Sequence, residues 1–127
     1  MKLSIDASQP PAFHYALGKQ LSALRDEGAL IIGSGNIVHN LRAYNWEAES
    51  AAPLAATISF EASVRKLLLA GDHQILINYT TLGDDARFAI PTPEHYLPLL
   101  YVIALQRTGE TISFPVEGSE GGSISML

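Results

Sequence analysis

Apolar and polar positions along this chain switch between two periods. "KLSIDA", Lys2 to Ala7, carries a short strand pattern. "SQPP" breaks it, and prolines suit the first turn of a helix. From Pro11 to Glu27, Phe13, Leu17, Leu21 and Leu24 recur at spacings of four, four and three, one face of an amphipathic helix. Gly28 stops it. "ALIIGS", Ala29 to Ser34, is a continuous apolar run, the pattern of a strand buried on both faces of a parallel sheet. The opening therefore predicts strand, helix, strand: a βαβ unit.

Leu41 to Ser50 is mixed and aromatic, with Tyr44 and Trp46. Pro53 to Ala70 predicts a second helix with Leu54, Ile58, Val64, Leu67 and Leu68 as its apolar positions, ended by "AGD". Between Asp72 and Pro93 a short helical piece is expected around "HQILINY", then a loop holding Gly83, Asp84 and Asp85. Thr92 to Gln106 predicts a third helix, with Thr92 as cap and Pro93 in the first position. "LPLLYVIAL" makes it apolar nearly all round, so it is expected to be buried. Thr111–Val116 and Ser123–Leu127 read as strands around an "EGSEGG" turn. No repeat or internal boundary is visible, so residues 1–127 are expected to form a single α/β domain.

Composition narrows the function. Of the 127 residues 47% are hydrophobic and only 17% charged, so much of the surface expects cover from the chain itself or from a partner. Net charge is −5 with no basic cluster, which argues against nucleic acid. Cysteine is absent, which removes disulfides, thiolate zinc sites and cysteine nucleophiles. "MKLSIDASQPP" lacks the apolar core of a signal peptide, and no run reaches the roughly 18 residues of a membrane span. A cytoplasmic location without membrane partners is the expectation.

Histidines carry the candidate chemistry. His73 follows a helix end and reads as an exposed loop residue. His14 lies in a first helical turn at the carboxyl end of a strand, the edge where open α/β sheets bind ligands, and reads as a packing or a pocket residue. His39 follows the turn Gly33-Ser34-Gly35-Asn36, whose backbone N–H groups could face a ligand. It either bonds that turn or does chemistry there. His95, at a helix start, is disfavoured as an imidazolium by the helix dipole. It is either a packed neutral residue or a metal ligand. "GSGNIV" is not a dinucleotide turn, since Val38 occupies the third glycine position. "IGSGN" is not a nucleophile elbow, since Ile32 replaces its first glycine.

Two longer stretches go further. "LRDEGALIIGSGNIVHNLR" and "PTPEHYLPLLYV" resemble the second half of the DOPA-dioxygenase type of class III extradiol ring-cleaving dioxygenases. "LSIDASQPPAFHYALGKQL" and "PVEGSEGGSISML" fit in the same order, so the resemblance covers nearly the whole chain. It implies the second half of a layered α/β/α catalytic domain with a mixed sheet, bound Fe(II) for catalysis or Zn(II) as occupant, and a catechol-type substrate opened with O2. It also implies that His95 is a metal ligand. His39 becomes the acid/base, close enough to the metal to count as a ligand in some states. His14, Ser34 and Asn36 are candidate substrate contacts.

The family's other two ligands are histidines of its first half, in a Gly-His-Gly turn and a Ser-Ala-His-Trp stretch, and neither motif occurs in this chain. A non-haem iron site needs three protein ligands. Three arrangements follow: a carboxy-terminal piece inactive alone, a site completed by a complementary amino-terminal chain, or a homo-oligomer that reuses His14, His39 and His95 around zinc. A non-catalytic α/β interaction module is the alternative outside enzymology.

Overall fold

Two prolines start the first helix, and a glycine decides which of its faces is buried. In the computed structural model, which describes residues 2–125, α1 spans Pro11–Gln20 with Pro11 in its first position. The chain tightens at Leu21, whose amide donates to the Gly18 carbonyl at 3.0 Å, and α2 follows at Ser22–Asp26. The helix expected as one piece to Glu27 is thus two. The buried residues of α1 are His14 and Gly18, one position round from the expected Phe13 and Leu17. A Cβ on Gly18 would stand 2.9 Å from both Ala104 Cβ and Tyr101 Cα of the last helix. The glycine lets two helix backbones touch, and that contact sets the rotation of α1.

Helix α3 (Ala55–Ala70) buries Thr57, Phe60, Val64 and Leu68. Gly71, at φ 69°, ends it: its amide donates to Leu68 O at 3.1 Å and that of Asp72 to Leu67 O at 3.0 Å, a Schellman closure. Helix α4 (His73–Ile77) and a 3₁₀ turn over Tyr79–Leu82 follow. The loop expected at Gly83-Asp84-Asp85 is instead the start of α5 (Asp84–Ala89). Both aspartates sit in its first turn, where carboxylates complement the helix dipole. A 3₁₀ turn over Pro93–His95 leads into α6 (Leu97–Ala104). Thr92 does not cap it, because its hydroxyl donates to the Glu94 carboxylate at 2.6 Å.

Phe60, Val64, Leu76, Leu97 and Leu100 form the heart of the core. Burying each such side chain contributes ~1.5–3 kcal/mol. Tyr96 joins them with its hydroxyl satisfied, donating to Leu76 O at 2.9 Å, and burial pushes its pKa up, so it remains a neutral donor.

The expected sheet is only partly present. β1 (Ser119–Glu120) and β2 (Ile124–Ser125) pair antiparallel around Gly121 and Gly122, so the first strand of the hairpin lies inside the "EGSEGG" stretch expected as its turn and not at Thr111–Val116. Met126 and Leu127, the end of the strand expected at Ser123–Leu127, lie outside the described residues. Lys2–Ala7, Ala29–Ser34 and Thr111–Val116 form no strands. Among the described residues, the backbone groups of 30–35 and of 111–116 make no hydrogen bond at all. A strand pattern specifies a pleated, covered segment, but a ladder needs a neighbour. These segments are not hydrogen-bonded to one another. What stands is a mixed, mainly helical fold with a small two-stranded sheet, and no described helix is long and apolar enough to cross a membrane.

An ion-pair clamp ties α2 to the segment after α6. Arg25 donates to both Glu110 carboxylate oxygens, at 3.0 and 2.5 Å, and to Leu105 O at 2.6 Å. Arg25 holds the Glu110 carboxyl down at about 2, against an ordinary 4.5. A depressed carboxyl stabilises the fold above its unfolded value, so this contribution is complete above pH 4.5 and fades as pH falls toward about 2. Glu110→Gln is expected to flatten the dependence of Tm on pH across that window. Wild type and variant losing Tm in parallel there would refute the clamp.

Candidate functional site

Site geometry starts from two glycines with ordinary φ. A Cβ on Gly35 would fall 2.1 Å from His95 O, and one on Gly33 would fall 2.9 Å from Pro98 O. The turn is glycine-rich because it lies directly on the start of α6. The Asn36 amide then donates to His95 O at 2.9 Å. These contacts fix the backbone that carries His95.

His39 is fixed from the other side. Its amide donates to Ala89 O at 2.9 Å, and it forms an antiparallel bridge with Ile124. Flanking bonds run from Ser125 N–H to Val38 O at 3.0 Å and from Asn40 N–H to Ser123 O at 3.1 Å. Val38 is fully buried and anchors the segment. The Asn36 side chain spans both supports, its Nδ2 donating to Ser125 O at 2.9 Å.

The outcome is that the His39 and His95 rings stack, with centroids 3.6 Å apart and planes within 10°. Burial lowers the His39 pKa, and the facing His95 lowers it further. Glu94 opposes this weakly from nearby. The Thr92 hydroxyl, more than the two histidines, keeps Glu94 ionised by lowering its pKa. His39 is therefore neutral near pH 7 and able to accept a proton.

A cavity of about 460 Å³ opens beside His95 and Asn36. Its walls are mostly apolar, among them Ile31, Leu99, Val102 and Phe114. Ser34 is exposed and does not line it. His14 does not line it either. That residue is fully buried between α1 and α6, with Nδ1 2.9 Å from the Tyr101 hydroxyl and Nε2 without a hydrogen-bond partner. His73 is no exposed loop residue. It joins α1 to the end of α6, with Nδ1 2.9 Å from Tyr15 Oη and Nε2 3.0 Å from Gln106 Oε1. Sequence reading passed over Glu94, Tyr101 and the packing role of Gly33 and Gly35. Of these, only Glu94 carried a signal, its place beside His95.

A metal tests differently against this set. Imidazole lone pairs lie in the ring plane, so two parallel stacked rings direct them side by side and not at a common point. Among the described residues no group of three or more histidine, aspartate or glutamate side chains could hold a metal ion. By themselves these residues do not fit an iron site that needs three protein donors.

No protein-family model matches the sequence. A protein of Escherichia coli K12 named "4,5-DOPA dioxygenase extradiol" is 45% identical over 130 residues, covering 100% of this chain and 47% of the relative. A protein of the same name from Beta vulgaris is 34% identical over 109 residues, covering 86% of this chain and 39% of the relative. A crystal structure of an uncharacterized Escherichia coli K12 protein superposes with a TM-score of 0.88 at 44% identity, over 98% of this chain and 51% of that one. The chain thus spans about half the length of the proteins it matches.

Proposed function

We propose that this chain, a homologue of the proteins named 4,5-DOPA dioxygenase extradiol that spans about half their length, supplies two imidazoles of an extradiol ring-cleavage site acting on a catechol-type substrate with O2. In this reading the chain is the second half of a layered α/β/α catalytic domain. The observation that carries the reading is the His39–His95 stack, built by two separate backbone supports, with His95 lining an apolar cavity.

Roles follow from the local chemistry. His39, neutral near pH 7, takes a proton from a catechol hydroxyl and returns one as the ring opens. His95, in the 3₁₀ turn that leads into α6 and with its carbonyl held by the Asn36 amide, is the residue suited to act as a donor in a fixed geometry. Asn36 holds backbone carbonyls through both its amides and so positions the two histidines. The apolar cavity wall suits an aromatic ring. The donors that this chain lacks come from polypeptide beyond these 127 residues, and no step of the reaction is assigned to a metal held by this chain alone.

Oxygen uptake tests the proposal. The 127-residue chain is expected to show none with catechol or DOPA. Mixed with the part of the E. coli relative that it does not cover, it is expected to consume O2 and form a ring-opened product. Uptake by the chain alone overturns the incomplete-site reading. No uptake by a reassembled pair that holds stoichiometric metal favours the non-catalytic module.

A further inference from the structure

Two serines stand where a buried strand ordinarily carries apolar side chains. Ser123 and Ser125, at the end of the chain's hairpin, are both fully buried. A buried hydroxyl costs free energy unless it is hydrogen-bonded, so each needs a partner. Ser123 finds one locally: its hydroxyl donates to Asn40 O at 2.8 Å, in the segment its backbone already meets. Ser125 finds one across the molecule. Its hydroxyl donates to the Glu61 carboxylate of α3 at 2.5 Å.

Ser125 is also where the two histidine supports converge. Its amide donates to Val38 O at 3.0 Å, and its neighbour Ile124 bridges His39. Its carbonyl accepts from Asn36 Nδ2 at 2.9 Å, while the Asn36 amide holds His95 O. From Glu61, the path to either imidazole runs through this one serine. The surroundings leave Glu61 to that partner. Arg65 lies one turn on, the spacing at which a glutamate and an arginine on a helix commonly pair. Here Arg65 donates instead to Glu117 at 2.7 Å and lies over the Phe114 ring, 4.3 Å from its centroid.

We propose that Glu61 is a positioning residue for the His39–His95 pair, acting through the Ser125 hydroxyl. As a role in the reaction this rests on the dioxygenase reading above; as an account of how two rings are held it does not. Neither Glu61 nor Ser125 lines the cavity beside His95, so neither meets the aromatic ring. What they fix is the seat of β2 against residues 36–39. Displacing β2 carries His39 with it through the bridge and loosens Asn36, and with it the hold on His95.

Imidazole NMR of the full 127-residue chain tests this without metal or turnover, so its failure and that of the dioxygenase reading are separate results. Glu61→Ala and Ser125→Ala are each expected to abolish the Overhauser contacts and ring-current shifts between His39 and His95. The double variant is expected to do no more than either alone, because the two residues act as one link. Glu61→Gln keeps an acceptor oxygen for Ser125 and is expected to retain the stack. Thr57→Val is the control. Thr57 sits one turn before Glu61 and also ties α3 to the hairpin, its hydroxyl donating to Gly122 O at 2.9 Å, but it makes no bond to Ser125. The Leu54 amide still satisfies that carbonyl at 2.9 Å, so this variant should lose stability and keep the ring signals. In the reassembled pair, Glu61→Ala is expected to lower kcat roughly tenfold to a hundredfold, the scale of a misplaced group, with KM near wild type and recovery in Glu61→Gln.

Four results would overturn the proposal. A stack that survives both Glu61→Ala and Ser125→Ala shows that β2 is seated without them. Loss of the stack in Thr57→Val as well makes the effect a general loosening of the hairpin. Glu61→Gln behaving as Glu61→Ala makes the charge, and not the bond to Ser125, the active feature. A wild-type kcat in a Glu61→Ala pair whose stack is lost removes the role in the reaction and leaves the dioxygenase reading standing. If Glu61→Ala does not fold, Ser125→Ala and Glu61→Gln decide by the same criteria.

Discussion

Replacing Gly35 by alanine is expected to separate the two histidine rings. The new methyl would fall 2.1 Å from the His95 carbonyl oxygen and 3.1 Å from its carbon, both backbone atoms that cannot swing aside. Either the turn lifts off α6 and loses the Asn36–His95 hydrogen bond, or the 3₁₀ turn over Pro93–His95 shifts. Overpacking of this kind costs ~1–3 kcal/mol. The specific readout is the pair itself: nuclear Overhauser contacts and ring-current shifts between the His39 and His95 imidazoles should vanish. Gly109→Ala is the control. It strains a positive φ of 86° with nothing within 4 Å of the new methyl, so it should lower Tm and leave the ring signals in place. A Gly35→Ala protein that keeps the stack would show that the turn does not set the position of His95.

His39→Gln is expected to have the largest effect on chemistry. Loss of a positioned general base typically costs 10²- to 10⁴-fold in turnover, so a fall of about that size is predicted for the reassembled pair. Stability should change little, because the segment is held by the His39 amide, by Val38 and by Ser125, none of which needs the imidazole. The sign of the pH effect follows from the lowered pKa of His39: the base is lost only when pH falls below the ordinary histidine value of 6.5. The acid limb of the pH–rate profile should therefore lie under 6.5 and be absent in the variant. An acid limb at or above that value would contradict the assignment of His39.

What could be read from the sequence depended on whether neighbouring chain was needed to express it. The existence of helices α3 and α6 was legible because the glycine or proline at their ends acts locally, but the buried face of α3 was read only in part: Val64 and Leu68 are buried, Leu54 and Ile58 are exposed, and Phe60 takes the core position. The buried face of α1 was misjudged because a glycine, which carries no hydrophobic signal, makes the closest contact. Helix α5 was hidden because Gly83, Asp84 and Asp85 favour both a loop and a first helical turn. The patterns at Lys2–Ala7, Ala29–Ser34 and Thr111–Val116 are strand patterns without a ladder beside them. For the site, the meeting of His39 with His95 could not follow from spacing, since the Gly33–Asn36 turn and the Ser123–Ser125 segment create it together. The resemblance to the dioxygenases singled out both residues. The reason for Gly33 and Gly35 emerged only from their packing on Pro98 and His95.

Iron content after anaerobic loading, read by elemental mass spectrometry, separates a shared site from a self-contained one. The chain alone is expected to retain little iron, the reassembled pair to retain it stoichiometrically, and His95→Ala to remove it from the pair. Stoichiometric iron on the isolated 127-residue chain, kept in His95→Ala, would contradict the shared site.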